Sequence, residues 1–520
     1  MVFVFQQIYN MSYFQFIILT LVLVTSVVII QRIKNRRQIT LAAQIPGPKG
    51  NFIVGSPTIV TRGQEKFLEN VKLLCKKYEH SLFKFWLFNK LVVCISNAKD
   101  IEIVMNSFNC FQKDIPYSLI EDVFSAKGLI TTNNVHVYKK NRKIINQWLN
   151  YSNLKSLITL FYEESKILEH ILSKNSKSNS FECEISYAFE LASMDTIGRT
   201  ALGEEFNSQN KENHDFRNNY ERLAEIFAYR ISNPWFLISS LFSLSSKKHE
   251  QRNSQHLMHK FVNGLIQKKK VELNEKAKTM INGCRDEDCS YQKVKSLIEI
   301  LLANEHQISH EEMRDELITI ISAGHETTAK ANSLIIFMLA HHQDVQQIVY
   351  QEINSIFSDG NLNRPPTYED LQKMEYLERV IKETMRLYPA VPLVLRQVEN
   401  EMMIGKYLIP ADTIIAIPIY CLHLNPQSYK DPEKFNPDNF LPDVCRSRHP
   451  YAYIPFSGGT RNCIGMKYAM LQMKTAISTL VRSYRFSPSE KCPTPKELKL
   501  SCTIALEFIN GCYVKIESRT

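Results

Sequence analysis

Two kinds of hydrophobic pattern divide the chain. Residues 14–30, FQFIILTLVLVTSVVII, form an uncharged apolar run that ends at QRIKNRR, where Arg32, Lys34, Arg36 and Arg37 follow. At about 1.5 Å of rise per residue such a run, with its flanks, matches the ~30 Å apolar slab of a bilayer. This predicts one N-terminal transmembrane helix as a membrane anchor over residues 1–31. A cleaved signal peptide carries its positive charge before the apolar core; here the charge follows it, which places the remainder in the cytoplasm. Residues 32–49 read as a basic stop and a proline hinge, IPGPKG, because proline fixes its own φ and pushes the preceding residue toward extended geometry.

From 50 to 520 the pattern predicts one body. Alternation in LFKFWLFNKLVVCISN (82–97) reads as strand; a long central region carries helical spacing; extended signals return over 393–420 and in the last twenty residues. Helices dominate and strands gather at the two ends, an α+β body that is mainly α with small β-sheets. The polar stretches 173–180 and 267–292 read as surface loops.

One predicted helix, over 311–342, is apolar on most sides and so belongs in the core. Its centre nevertheless holds Gly324, His325, Glu326, Thr327 and Thr328. Glycine costs roughly 1 kcal/mol there relative to alanine. Two readings stand: a tolerated kink with polar groups turned to solvent, or a local opening against a bound cofactor that presents an acid and a hydroxyl.

The second pattern-breaking stretch is PFSGGTRNCIGM (455–466). Its glycines allow close approach of backbone to a flat cofactor, and the helical spacing of MKYAMLQMKTAISTLV puts Cys463 just before a helix N-terminus, which favours a thiolate. A single thiolate, with no companion Cys or His at ligand spacing, points to a haem axial ligand. A buried inert cysteine in a glycine turn is the alternative.

Composition sharpens this only modestly. A net charge of +10 from 63 basic and 53 acidic residues suits a membrane surface or an acidic protein partner and gives no reason to expect nucleic acid. Twelve cysteines spread over 520 residues read as free thiols of a reducing compartment. Cys284 and Cys289 form a close pair, read as loop thiols because no second ligand pair accompanies them.

FSGGTRNCIG at 456–465 matches the F-x-x-G-x-R-x-C-x-G haem loop of the cytochrome P-450 monooxygenases through Phe456, Gly459, Arg461, Cys463 and Gly465. ETMR (Glu383, Arg386) and AGHETT (Ala323–Thr328) resemble that family's E-x-x-R helix and oxygen-binding helix, in the same order. The resemblance covers nearly the whole chain and implies the cytochrome P-450 fold, with residues 50–520 as its catalytic domain. It implies haem, with Cys463 as the iron ligand and Thr327 with Glu326 managing protons. Gly324 would leave room for oxygen. Arg461, Arg396 and Arg142 would meet the haem propionates, Arg142 in a W-x-x-x-R-like helix whose tryptophan is Tyr138. Glu383 and Arg386 would hold the fold.

Two departures stand out. The usual P-E-R-F reads PDNF, so Asn439 replaces an arginine, leaving a buried charge less compensated unless Arg446 or Arg448 substitutes. ETMRLYPAVPLVLRQ and ELITIISAGHETT resemble the family-four fatty-acid hydroxylase branch, frequent in insects. Ala323 takes the place of the acid that can esterify haem there, so covalent haem is not expected.

The implied function is a haem-thiolate monooxygenase of the endoplasmic reticulum membrane, with its catalytic domain cytoplasmic. It would place one atom of O2 into a lipophilic substrate: a fatty acid, hormone, terpenoid or xenobiotic. A thiolate-haem isomerase or a non-turnover haem-containing ligand-binding protein is the competing class. With no glycine fingerprint for a nucleotide, electrons from NADPH need a separate NADPH-cytochrome P-450 reductase, with cytochrome b5 as a further partner. Lys139, Lys140, Lys143, Lys467 and Lys474 are candidate docking residues. Pocket segments fall at 115–130, within 210–240, at Val391–Val394 and at Thr503–Leu506.

Overall fold

The computed structural model describes residues 13–50, 55–56, 64–87, 89–174, 180–210, 215–281, 295–357 and 363–519. The pair Cys284 and Cys289 lies outside them. The ten described cysteines are free thiols.

The alternating stretch near the start folds as a hairpin, Phe83–Leu87 against Lys90–Cys94. It is completed by Ile414–Ile417, parallel to Lys90–Cys94, and by the antiparallel edge strand Val394–Gln397. Every residue of Ile414–Ile417 is buried, as expected of an interior strand that reads as an unbroken apolar run. Two-stranded ribbons follow at Met402–Ile404 with Tyr407–Ile409 and at Leu500–Cys502 with Leu506–Phe508.

The strand Ser180–Glu184 escaped the pattern because its neighbours are Ser, Asn and Lys. It forms only through pairing with Tyr513–Ser518, which also pairs with Tyr484–Pro488. The loop predicted over 267–292 is corrected up to residue 281. Ser246–Ile281 is a 36-residue helix, supported on its polar faces by pairs such as Lys269 with Glu272.

Among the helices, His310–His341 runs through the core. Ser309 caps it: its hydroxyl accepts from Glu312 N at 3.1 Å while Glu312 accepts from Ser309 N at 2.9 Å. Residues 328–340 are buried on all sides, and the helix packs against Ile185–Ile197, Glu375–Leu387 and Met466–Ser483. It continues without a break through Gly324. Thr327 Oγ1 donates to the carbonyl of Ala323 at 2.7 Å, and the helix is not opened there.

The apolar N-terminal run is helical over Tyr13–Lys34, with Ile17, Leu19, Leu21, Ile29, Ile30 and Ile33 exposed. Several side chains of this helix lie outside the description, and among the described residues no helix is long and apolar enough to cross a membrane. The hinge after it is docked on the body. Ile45 and Ala42 are buried, Lys84 N donates to Pro46 O at 2.8 Å, and Arg37 bonds the Glu401 carboxylate.

Candidate active site

The cysteine loop closes on itself. Cys463 N donates to Phe456 O at 2.9 Å and Ser457 N to Ile454 O at 2.9 Å. Gly459 sits at φ +64°, and a Cβ there would lie 1.8 Å from the carbonyl oxygen of Met105. Only glycine satisfies both. Gly465 then opens the helix Met466–Ser483, and its N–H holds the Cys463 thiol down while burial, the larger effect, pushes it up.

Cys463 keeps accessible surface although it is deep enough for burial to dominate its acidity. Both hold if the sulfur lines an interior recess instead of the outer surface. The central helix shows the same signature: residues 322–324, 326 and 327 are half-buried between flanks that are mostly buried.

Four cations gather around the loop. Arg461, 7% exposed, donates to the carbonyls of Thr132 at 2.8 Å and Ile130 at 3.1 Å and lies over the Phe111 and Tyr138 rings at 4.6 and 4.5 Å. Arg142 donates to Tyr138 Oη at 2.7 Å and to both oxygens of Asn462 at 2.9 and 2.6 Å. Tyr138 passes its own proton to Thr460 O at 2.9 Å, so the tyrosine in the tryptophan's place ties its helix to the cysteine loop.

Arg396, 3% exposed, has a carbonyl contact at 2.9 Å, long contacts to Ser457 Oγ, 3.4 Å, and Met105 Sδ, 3.5 Å, and Tyr117 as a neutral hydrogen-bonding neighbour. Lys113, equally buried, donates to Ile130 O at 2.8 Å. Burial pushes Arg461 down to about 10. It also pushes Arg396 down, and Lys113 well down, with Arg461 and Arg396 adding to the effect. Among the described residues none of the four is paired with an acidic side chain. Buried cations without counter-ions cost several kcal/mol, so the cluster, with Arg142 half-buried beside it, favours an anion.

A family model described as Cytochrome P450 matches residues 45–508. Similar proteins include cytochrome P450 4c21 of Blattella germanica, 32% identical over 92% of this chain and 94% of the relative. Human cytochrome P450 4V2 is 30% identical over 90% and 88%, and cytochrome P450 4c3 of Drosophila melanogaster 30% over 96% and 95%. The chain belongs to the cytochrome P450 family. It is a haem-thiolate monooxygenase, similar to family-four members, that uses O2 and a lipophilic substrate.

The P450 cofactor fits what is present: one accessible thiol at the end of a glycine loop, and an unpaired cationic cluster for the two carboxylates of haem. At Gly324 the structure shows a different constraint, close helix packing, since a Cβ there would stand 2.8 Å from Ile197 Cδ1 on the neighbouring helix. Gly459→Ala is expected to cost at least about 1–3 kcal/mol through backbone strain and to weaken haem retention. A thermal melt with a haem titration measures both.

The Glu383–Arg386 pair is fully buried and bidentate, with bonds of 2.7 and 2.7 Å. Arg386 also reaches the carbonyls of His423, Pro432 and Lys434. Asn439 Nδ2 donates to Glu383 Oε1 at 3.1 Å, beside Asn436 N at 2.8 Å, so the amide supplies a bond where the family has a charge. Of the two proposed substitutes, Arg448 enters the cluster, donating to Asn439 O at 2.7 Å and stacking on Tyr429 at 4.1 Å. Arg446 is exposed and pairs with Asp443.

Lys474 is a further correction. It is 3% exposed, bonding Leu371 O and Glu378, and cannot meet a partner. Lys140 is held by Glu312 at 2.8 Å. Contacts of the pocket segments fall in separate places. Gly128 abuts Thr319, Tyr117–Phe124 packs on Asp215–Ser232, and Leu506 N bonds Ala390 O at 2.9 Å.

Sequence reasoning missed Lys113, isolated in a loop, and Glu316. The latter is buried on the central helix and accepts from Leu129 N at 3.0 Å and Asn141 Nδ2 at 2.9 Å. Burial pushes its carboxyl up to about 7 from 4.5. A raised folded value means that its stabilisation is complete below the ordinary value and is lost as pH rises through about 7. Glu316→Gln is expected to flatten the fall in melting temperature between mildly acidic and mildly alkaline buffer; an unchanged slope contradicts this.

Proposed function

We propose that this P450 holds haem with Cys463 on the iron, with Arg142, Arg396, Arg461 and Lys113 on the propionates, and hydroxylates lipophilic molecules with electrons delivered from NADPH by a separate reductase. The observation that carries the proposal is the conjunction of an accessible, deeply set thiol with buried cations that lack counter-ions. When bound, the haem supplies the redox chemistry that splits O2. The chain would supply the rest: Cys463 would hold the iron, Gly324 would let the central helix pack closely on Ile197, and Phe456 and the half-buried helix centre would exclude bulk water. Thr327 and Glu326 hold and pass protons.

The substrate class rests on the lining. Residues 115–130, Val391–Val394 and 503–506 are predominantly apolar, and fatty acids, hormones, terpenoids or xenobiotics suit such walls. For the reductase, exposed Lys139, Lys143 and Lys467 surround the thiolate side. There a hollow of about 360 Å³ is lined by Phe108, Lys139, Arg142, Lys143 and Thr460. An acidic partner surface, of the reductase or of cytochrome b5, is the chemical complement.

Membrane attachment at the endoplasmic reticulum, with residues 1–31 as anchor, rests on the uncharged apolar run and the basic residues behind it. The exposed Trp235, Ile238, Leu241 and Leu244 offer a second apolar contact to lipid. The test is oxygen consumption by purified enzyme with reductase and NADPH against a panel of chain lipids, terpenoids and foreign compounds. Substrate-dependent consumption with an oxygenated product supports the proposal; binding without turnover on every compound overturns it.

A further inference from the structure

Glu326 is not alone on its side of the central helix. Tyr220, 6% exposed on the helix Asp215–Ser232, donates its hydroxyl proton to Glu326 Oε2, and its ring meets His325 edge-on at 5.0 Å. Glu507, on the C-terminal ribbon, lies within hydrogen-bonding reach of Glu326. One helical turn along, Lys330 Nζ bonds Glu507 Oε2 at 2.9 Å and Glu190 Oε1 at 2.8 Å. Lys330 is 6% exposed, whereas Glu507 is 34% exposed. Thr327 spends its hydroxyl proton on Ala323 O, while Glu326 reaches Tyr220 and Glu507.

This arrangement is a graded path. A buried acid touches a second acid that reaches solvent, and a buried ammonium fixes the second acid in place. A charge on Glu507 makes ionisation of the buried Glu326 beside it costlier. Burial, and next the charge of Glu507, push Glu326 up. The other titratable groups nearby are Arg217, paired with Glu221, Glu190, paired with Lys330, His325, which burial pushes down to about 4 and leaves neutral, and Cys502, whose thiol is pushed up by burial and by the charges of Glu507 and Glu326.

We infer that Glu507 is the proton relay that reloads Glu326 from solvent, with Tyr220 aiming the Glu326 carboxyl and Lys330 with Glu190 positioning Glu507. When Glu326 gives up its proton, both carboxyls are ionised and the pair draws one back. Glu507 takes a proton from water, its O–H bond then breaks as a new one forms on Glu326, and the pair returns to one proton on two carboxyls. The inference rests on the proton-passing role proposed for Glu326.

Infrared titration of the protonated carboxyl band, on the full chain with haem and without any turnover, tests the coupling. Glu326→Gln identifies the band. Glu507→Gln keeps the volume and the acceptor for Lys330 while removing the charge, so the midpoint of the Glu326 band is expected to fall by about one pH unit or more. In turnover assays the same variant should release severalfold more peroxide per NADPH with a larger solvent isotope effect, and Glu507→Asp should restore coupling. A midpoint that does not move, or peroxide release equal to wild type in Glu507→Gln, overturns the relay. Loss of turnover in wild type with the midpoint shift intact counts against the monooxygenase reading and not against the coupled pair.

Discussion

Arg386→Ala is expected to yield little folded protein. The substitution leaves the Glu383 carboxylate, fully buried, with only Asn436 N and the Asn439 amide as partners. Breaking a buried pair by removing one member costs about 3–5 kcal/mol, and three carbonyls, of His423, Pro432 and Lys434, lose their donor as well. Against a typical total of ~5–15 kcal/mol that loss is large. Arg386→Lys should fare nearly as badly, because an ammonium cannot make the two parallel bonds to Glu383 and still reach the carbonyls. Urea midpoints and soluble yield decide it; a wild-type midpoint in Arg386→Ala contradicts a fold-holding role for the pair.

The second large effect is on chemistry. Cys463→Ala is expected to reduce product formation to background while leaving the melt close to wild type. The sulfur is not a packing element: it has accessible surface, and the loop is closed by backbone bonds from Cys463 N and Ser457 N that alanine preserves. Haem should still enter, held less tightly, because Arg142, Arg396, Arg461 and Lys113 remain to receive its carboxylates. Product formation and haem stoichiometry, measured together, separate loss of the ligand from loss of the cofactor. Turnover above background in Cys463→Ala contradicts the assignment.

How much of this was legible in the sequence follows from how local each feature is. The cysteine loop, the Glu383–Arg386 turn and the central helix are contiguous segments whose patterns are written within a dozen residues, although the central helix is not opened at Gly324. What failed depended on distant partners. Lys474 looks like any surface lysine at helical spacing, yet a neighbouring helix supplies Glu378 and Leu371 O. Ser180–Glu184 becomes a strand only against Tyr513–Ser518. The cation cluster joins positions 113, 142, 396 and 461, and no periodicity links them.

Lys330 is the instructive miss. It stands in AKANSLIIFMLA, where the helix is apolar on every side, and a lysine in such a setting has to be paired. Only the fold shows that its partners are Glu190 and Glu507. The same holds for Asn439. The missing arginine was visible, while the replacement by an amide bond and Arg448 needed the packing of residues 429–448.

The carbon monoxide difference spectrum of the reduced protein tests the central claim most directly, because its band position reports the atom opposite carbon monoxide on the iron. The full-length enzyme is predicted to show the long-wavelength band of thiolate-ligated haem, and Cys463→Ala, loaded with the same haem, to lack it. The same band persisting in Cys463→Ala would contradict the account.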